Sequence, residues 1–235
     1  METEIPALLR RHAAHHGGVD FTFHSSRMRM KTVSKDELAA MDADSDRCAL
    51  ELSDARVDVL GYACLVAIMA TGPGYHCSAR DRLERVTASN GAPAPVVTSA
   101  GALIDGLHQL GAKRIGLIAP YMKPLTELVV AYIEAEGLTV QDYLALEIAD
   151  NLVVGQQDPM ALVEHVKRID TSGVDAVVLS ACVQMPSLDA IQVVEDALGV
   201  PVISSAVATA WQMLKALHLE PIVPDAGALL SGTAS

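Results

Sequence analysis

"VDVLGYACLVA", Val57 to Ala67, and "VDAVVLSACVQ", Val174 to Gln184, say nearly the same thing about a hundred residues apart. Each is a Val-Asp, an apolar run, a small residue and a cysteine. A short, continuous apolar run bounded this way reads as a parallel strand buried on both faces. Its recurrence predicts a chain built as two similar α/β halves.

The flanking sequence supports that pattern. "APVVTS" and "PVISS" follow the two runs as further short strands, "KRIGLIAP" is a third and "TVQDYLALEI" is extended. Helical patterns alternate with them: "AGALIDGLHQLG", stopped at Gly111, "KPLTELVVAYIEAEG", "SLDAIQVVEDALG" and "AVATAWQMLKALHL". "SKDELAAMDADSDRCALELSDA" reads as one helix, with Ser34 and Glu37 at capping-box spacing. "SARDRLERVTAS" reads as a helix after a "TGPG" loop, and "DPMALVEHVKRID" as one opened by Asp158 and Pro159. "DFTFHSS" near Asp20 reads as a strand. Alternating strands and helices imply parallel sheets with right-handed crossovers. The expected fold is therefore α/β: two pseudo-symmetric Rossmann-like halves, each with a parallel four-stranded sheet flanked by helices, and an active site between them. Residues 1–98 plus a C-terminal helix over 205–235 form the N-terminal half, and residues 99–204 the C-terminal half. Aligned internally, the first half lacks a counterpart of "KRIGLIAPY", so its first strand is expected to be missing, through a late start.

Composition narrows the function. Of 235 residues, 51% are hydrophobic and only 3% aromatic, and the formal net charge is −12. No basic stripe exists to neutralise phosphates, which argues against a nucleic-acid partner. No apolar run is long enough to span a bilayer, and the N-terminus lacks the layout of a signal peptide. The spacing of Cys48, Cys64, Cys77 and Cys182 fits neither a disulfide scaffold nor a standard zinc site, so free thiols in a cytoplasmic setting are expected. No G-x-G-x-x-G follows a strand, and neither a P-loop nor G-x-S-x-G occurs.

Cys64 and Cys182 fall at the carboxyl ends of the matching strands, where open α/β sheets bind ligands. A helix N-terminus there is expected to favour thiolate and lower the thiol pKa. Two halves would present one thiol to each face of a shared substrate, one as nucleophile or base and one as acid. Taken singly, each is as readily a small buried hydrophobe. Tyr121, after "IGLIAP", offers a hydroxyl donor, and Asn151, in "IADNLVVG", an amide. Ser25, Ser26 and Arg27 are weaker candidates. Cys48 reads as structural, His76–Cys77 as weak evidence for a metal, and His12, His15 and His16 as an exposed helix end.

"YACLVA" and "SACVQMPS", with "APYMKP" and "ADN", resemble the aspartate/glutamate racemase superfamily over essentially the whole chain, and within it the maleate cis-trans isomerases. The resemblance implies Cys64 as nucleophile and Cys182 as acid/base partner, forming a succinyl-cysteine-like intermediate from maleate. It implies carboxylate binding by Tyr121 and Asn151 and by the backbone around Leu65, Val66 and Val183. It implies no cofactor and no metal, and a homodimer. Members of that group open with a strand and an Asn-bearing loop, and by the internal alignment this chain starts after that loop. The amino-acid racemases resembled carry Cys-Asn-Thr at both sites, unlike Cys64-Leu65-Val66, and arylmalonate decarboxylases keep only the second cysteine. A two-cysteine amino-acid or hydantoin racemase and an inactive carboxylate-binding relic remain the alternatives.

Overall fold

A computed structural model describes residues 2–31 and 34–232. The elements run α1 (Glu4–His16), α2 (Lys35–Ala43), α3 (Ser45–Asp54), β1 (Leu60–Tyr62), α4 (Leu65–Thr71), α5 (Tyr75–Ser89), β2 (Val96–Thr98), α6 (Ser99–Gln109), β3 (Arg114–Ala119), α7 (Lys123–Ala135), β4 (Thr139–Ala145), α8 (Asn151–Gly155), α9 (Ala161–His165), β5 (Ala176–Ser180), α10 (Leu188–Leu198), β6 (Val202–Ser204) and α11 (Ser205–Ala216). All strand pairs are parallel. One sheet has the order β4-β3-β5-β6, and β1 and β2 form a second, two-stranded sheet.

The α/β class and the repeat hold at the level of individual hydrogen bonds. Leu60 donates its N–H to Pro95 O, and Val177 donates to Pro201 O. Leu60 pairs with Val96 as Val177 pairs with Val202, which equates the start of β1–β2 with that of β5–β6. Each following helix is capped alike: Thr98 Oγ1 accepts from Gly101 N, and Ser204 Oγ from Val207 N. The strands β3 and β5 are buried along nearly their whole length, as continuous apolar runs in a parallel sheet must be.

Several expectations need correction. Among the described residues only the second half has four strands. Residues 20–26, expected as a strand, are irregular, because no strand among the described residues pairs with them, and Asp20, Thr22 and Ser25 are exposed. The single helix expected after Ser34 is two, broken at Asp44, where Asp44 grips Arg47 and Ser45 Oγ donates back to Asp42 O. Ser34 does cap α2 through Glu37 N, but the Glu37 carboxylate reaches Lys31 N as well. Asp158 caps Met160 N, yet the helix beyond it is only α9 and a 3₁₀ turn over Val166–Arg168. The helix expected over 205–235 stops at Ala216; the chain continues irregularly with a 3₁₀ turn at Ala228–Leu230, and its last three residues lie outside the described ones. His12 is buried and hydrogen-bonded through Nδ1 to Ile222 O, whereas His15 and His16 are exposed. No helix among the described residues is long and apolar enough to cross a membrane.

Candidate active site

Both sheets aim their carboxyl ends at one cavity of about 170 Å³. Cys64, Leu65, Val66, Tyr121, Asn151, Cys182 and Val183 all line it, so the seven residues singled out in the sequence meet in one place. The local folding is direct. β1 ends at Tyr62 and α4 begins at Leu65, which leaves Cys64 as N-cap residue with its carbonyl accepting from Ile68 N. β5 ends at Ser180, whose hydroxyl donates to Cys182 O at 2.9 Å and to Met185 O at 3.3 Å, curling the loop that carries the second thiol. Tyr121 follows β3 and is buried; its hydroxyl donates to Ala181 O at 3.0 Å, next to Cys182. Asn151 opens α8, held by the Asp150 cap, and its carbonyl accepts from Gln184 Nε2 at 2.6 Å.

The electrostatics differ from the expectation for Cys64. Burial pushes its thiol up to about 12; the Ala67 N–H pulls the other way, and the nearby Cys182 and Asp42 charges push further up. The expected lowering is limited to the Ala67 N–H bond, and desolvation outweighs it. Burial first, then the two thiols, holds the Tyr121 hydroxyl well above its ordinary range, so it remains a donor.

Sequence reasoning missed the apolar wall: Met30 from the irregular stretch after α1, with Met122, Leu125, Ile148 and Val154. These residues look like any core residue in a one-dimensional reading. It also missed a polar network beneath Cys64. Buried Asp42 accepts from Tyr62 at 2.8 Å, from Tyr75 at 2.5 Å and from Arg82 at 3.1 Å; Arg82 also pairs with Asp46. Asp42→Ala strands two hydroxyls and a partly buried guanidinium, so it should cost about 2–4 kcal/mol of stability, measured by urea unfolding; a loss under about 0.5 kcal/mol, typical of surface sites, would show the network to be idle.

Other candidates stay away from the cavity. Ser26 donates to Glu51, Arg27 pairs with Glu2, and Ser25 faces a separate groove. Cys48 is buried in α3, and Cys77 is exposed. His76 contacts Tyr132 and Glu136, and no group of three His, Cys, Asp or Glu suited to a metal occurs among the described residues.

Two thiols at pseudo-equivalent strand ends, closing one small cleft between α/β lobes, define the class of two-cysteine α/β enzymes. A family description for arylmalonate decarboxylase matches residues 15–230. A maleate isomerase from Geobacillus stearothermophilus is 63% identical over 99% of this chain and 92% of its own. The crystal structure of a cysteine-to-alanine variant of maleate isomerase from Pseudomonas putida S16, with maleate, superposes with a TM-score of 0.96 at 62% identity, covering 99% of this chain and 92% of that one. A cysteine-to-serine mutant of the Nocardia farcinica maleate cis-trans isomerase, with a covalently bound succinylcysteine intermediate, gives 0.93 at 49% identity, covering 97% and 92%. The chain belongs to the maleate isomerase family, inside the broader grouping that the arylmalonate decarboxylase description spans.

Proposed function

We propose that this chain interconverts maleate and fumarate without a cofactor, with Cys64 as nucleophile and Cys182 as acid and base. The observation that carries the reading is the convergence of both strand-end thiols on one small cavity. The family relationship supplies the substrate class.

Cys64 sulfur attacks C2 of maleate while Cys182 thiolate takes the Cys64 proton. The π pair moves to C3, and Cys182 passes the proton there, leaving a succinyl thioether on Cys64. C2–C3 is now a single bond and rotates. Cys182 then removes the C3 proton, the pair re-forms the double bond, and the C–S bond breaks to release fumarate. Sulfur regains its proton through Cys182, so nothing is consumed. Tyr121 and Asn151 hold the carboxylates, helped by the N–H groups of Leu65, Val66 and Val183; donors fixed before substrate arrives need no reorganisation during reaction. The apolar wall excludes water that would compete for the C3 anion.

Proton NMR of the purified chain with maleate tests the reading: the maleate vinyl signal should be replaced by that of fumarate with no added cofactor. Persistent maleate, together with exchange of the α-proton of an amino acid in D₂O, would select the racemase instead.

A further inference from the structure

Glu4 is a buried carboxylate that the reaction above leaves unused. It is the first residue of α1, yet its bonds run to the start of α10. It accepts from Ser187 N at 2.6 Å, from Ser187 Oγ at 3.1 Å and from Leu188 N. We propose that Glu4 is the positioning residue for Cys182, capping α10 from outside and so fixing the loop that carries the second thiol. The proposal rests on the isomerase reading only for its effect on turnover.

The two thiols are held in different ways. Only Ala63 and Cys64 separate β1 from α4, so Cys64 sits on the end of the helix that it caps. Cys182 stands further from its helix. β5 ends at Ser180 and α10 starts at Leu188, and Cys182 rides on residues 181–187 between them. Ordering such a span costs backbone entropy, which fixed contacts at both of its ends must offset.

The near end is tied to the cavity wall. Ala181 N donates to Ile118 O, the Tyr121 hydroxyl to Ala181 O and Gln184 Nε2 to Asn151 O. At the far end Ser187 precedes α10 but makes no side-chain cap to it. The Ser187 hydroxyl goes to Glu4 instead, together with the Ser187 and Leu188 amides, across 183 residues of chain from Ser187. Those amides are among the orphan donors that open an α-helix. Glu4 thus does for α10 what a neighbouring cap residue does elsewhere.

A carboxylate suits this task. A buried charge needs compensation, and here the amino ends of two helices give it. Glu4 lies in the first turn of α1, of 13 residues, and receives the first amides of α10, of 11 residues. Burial raises its pKa, and the bonds from Ser187 and Leu188 oppose that rise. Hydrogen bonds to an ionised acceptor are about twice as strong as neutral ones, so Glu4 holds the loop more firmly than a serine cap would. Firmness matters for the thiol. Proton transfer needs the Cys182 sulfur within hydrogen-bond reach of the reacting carbon, and a misplacement of about 1 Å can cost about a hundredfold in rate.

The test follows alkylation by iodoacetamide at single cysteines, read by mass spectrometry of their peptides, in the parent chain, Glu4→Gln and Ser187→Ala. Glu4→Gln keeps the shape and removes the charge. Ser187→Ala removes the hydroxyl contact and leaves the carboxylate in place. Cys182 should react at least about tenfold faster in Glu4→Gln, and by a smaller factor in Ser187→Ala, as a loop does when it opens locally. Cys64 and the buried Cys48 should stay within about twofold of the parent, because the rest of the fold stays closed. With maleate, kcat should fall about 10- to 100-fold in Glu4→Gln while KM stays within about threefold. The mass of one maleic acid should then accumulate on the Cys64 peptide. An unchanged rate at Cys182, or an unchanged kcat where the parent is active, overturns the proposal. So does a rise at Cys182, Cys64 and Cys48 together, which would make Glu4 a general support of the fold. A parent chain that leaves maleate untouched counts against the isomerase reading alone, and the alkylation comparison still decides the role of Glu4.

Discussion

Cys64→Ala lowers maleate turnover by at least about 10⁴-fold, the scale set by loss of a covalent nucleophile. Cys182→Ser lowers it comparably, but the two variants fail differently. Without Cys64 no carbon–sulfur bond can form, so intact-protein mass spectrometry with excess maleate shows only the unmodified mass. Without the Cys182 thiol, addition is slow but removal of the C3 proton is slower, so the protein gains the mass of one maleic acid on the peptide that contains Cys64. This asymmetry separates the proposed roles from a symmetric two-base racemase, in which neither variant accumulates an adduct. An adduct on Cys182 in the Cys64→Ala protein would reverse the assignment. Both substitutions are small and sit in an existing cavity, so the fold should persist, as far-ultraviolet circular dichroism would show.

How far the chain could be read without coordinates depended on whether a signal was local. β3 and β5 were legible because a strand buried on both faces must be apolar throughout, and "RIGLIA" and "AVVLS" are. The cap at Ser34 is equally local. The cysteines stood out because a repeat turns two weak observations into one strong one. Failures came where the outcome depended on distant residues. Residues 20–26 have strand-like composition, but a strand exists only with a partner, and none among the described residues adjoins them. "LVAIMAT" is apolar on every face, so it carries no helical periodicity, yet it folds as α4. Asp42 lies in an ordinary amphipathic run; its role appears only when Tyr62, Tyr75 and Arg82 converge on it. The ionisation of Cys64 was misjudged for the same reason: a helix N-terminus is visible in sequence, and burial is not.

That misjudgement yields the second large effect. If burial dominates, Cys64 in the free protein is a thiol at neutral pH, and its alkylation by iodoacetamide tracks the small thiolate fraction. The rate at Cys64, followed by mass spectrometry of its peptide, should climb about tenfold per pH unit from 7 through 10, roughly a thousandfold in all, where an ordinary thiol levels off near its own pKa of 9.0. The climb should continue toward the value of about 12 set by burial. Asp42→Asn removes a negative charge that helps to raise the thiol, so it should shift the whole profile to lower pH. Stability follows the same linkage. The folded pKa lies above that of the unfolded thiol, 9.0, so the unfolded chain holds fewer protons above pH 9. Stability from this group is therefore complete below pH 9 and is lost as pH rises through the folded value. A plateau in alkylation below pH 8 would sink this account and restore the helix terminus as the stronger influence. In the proposed reaction a resting Cys64 thiol needs a base beside it at the moment of attack, and the second strand-end sulfur lines the same cavity.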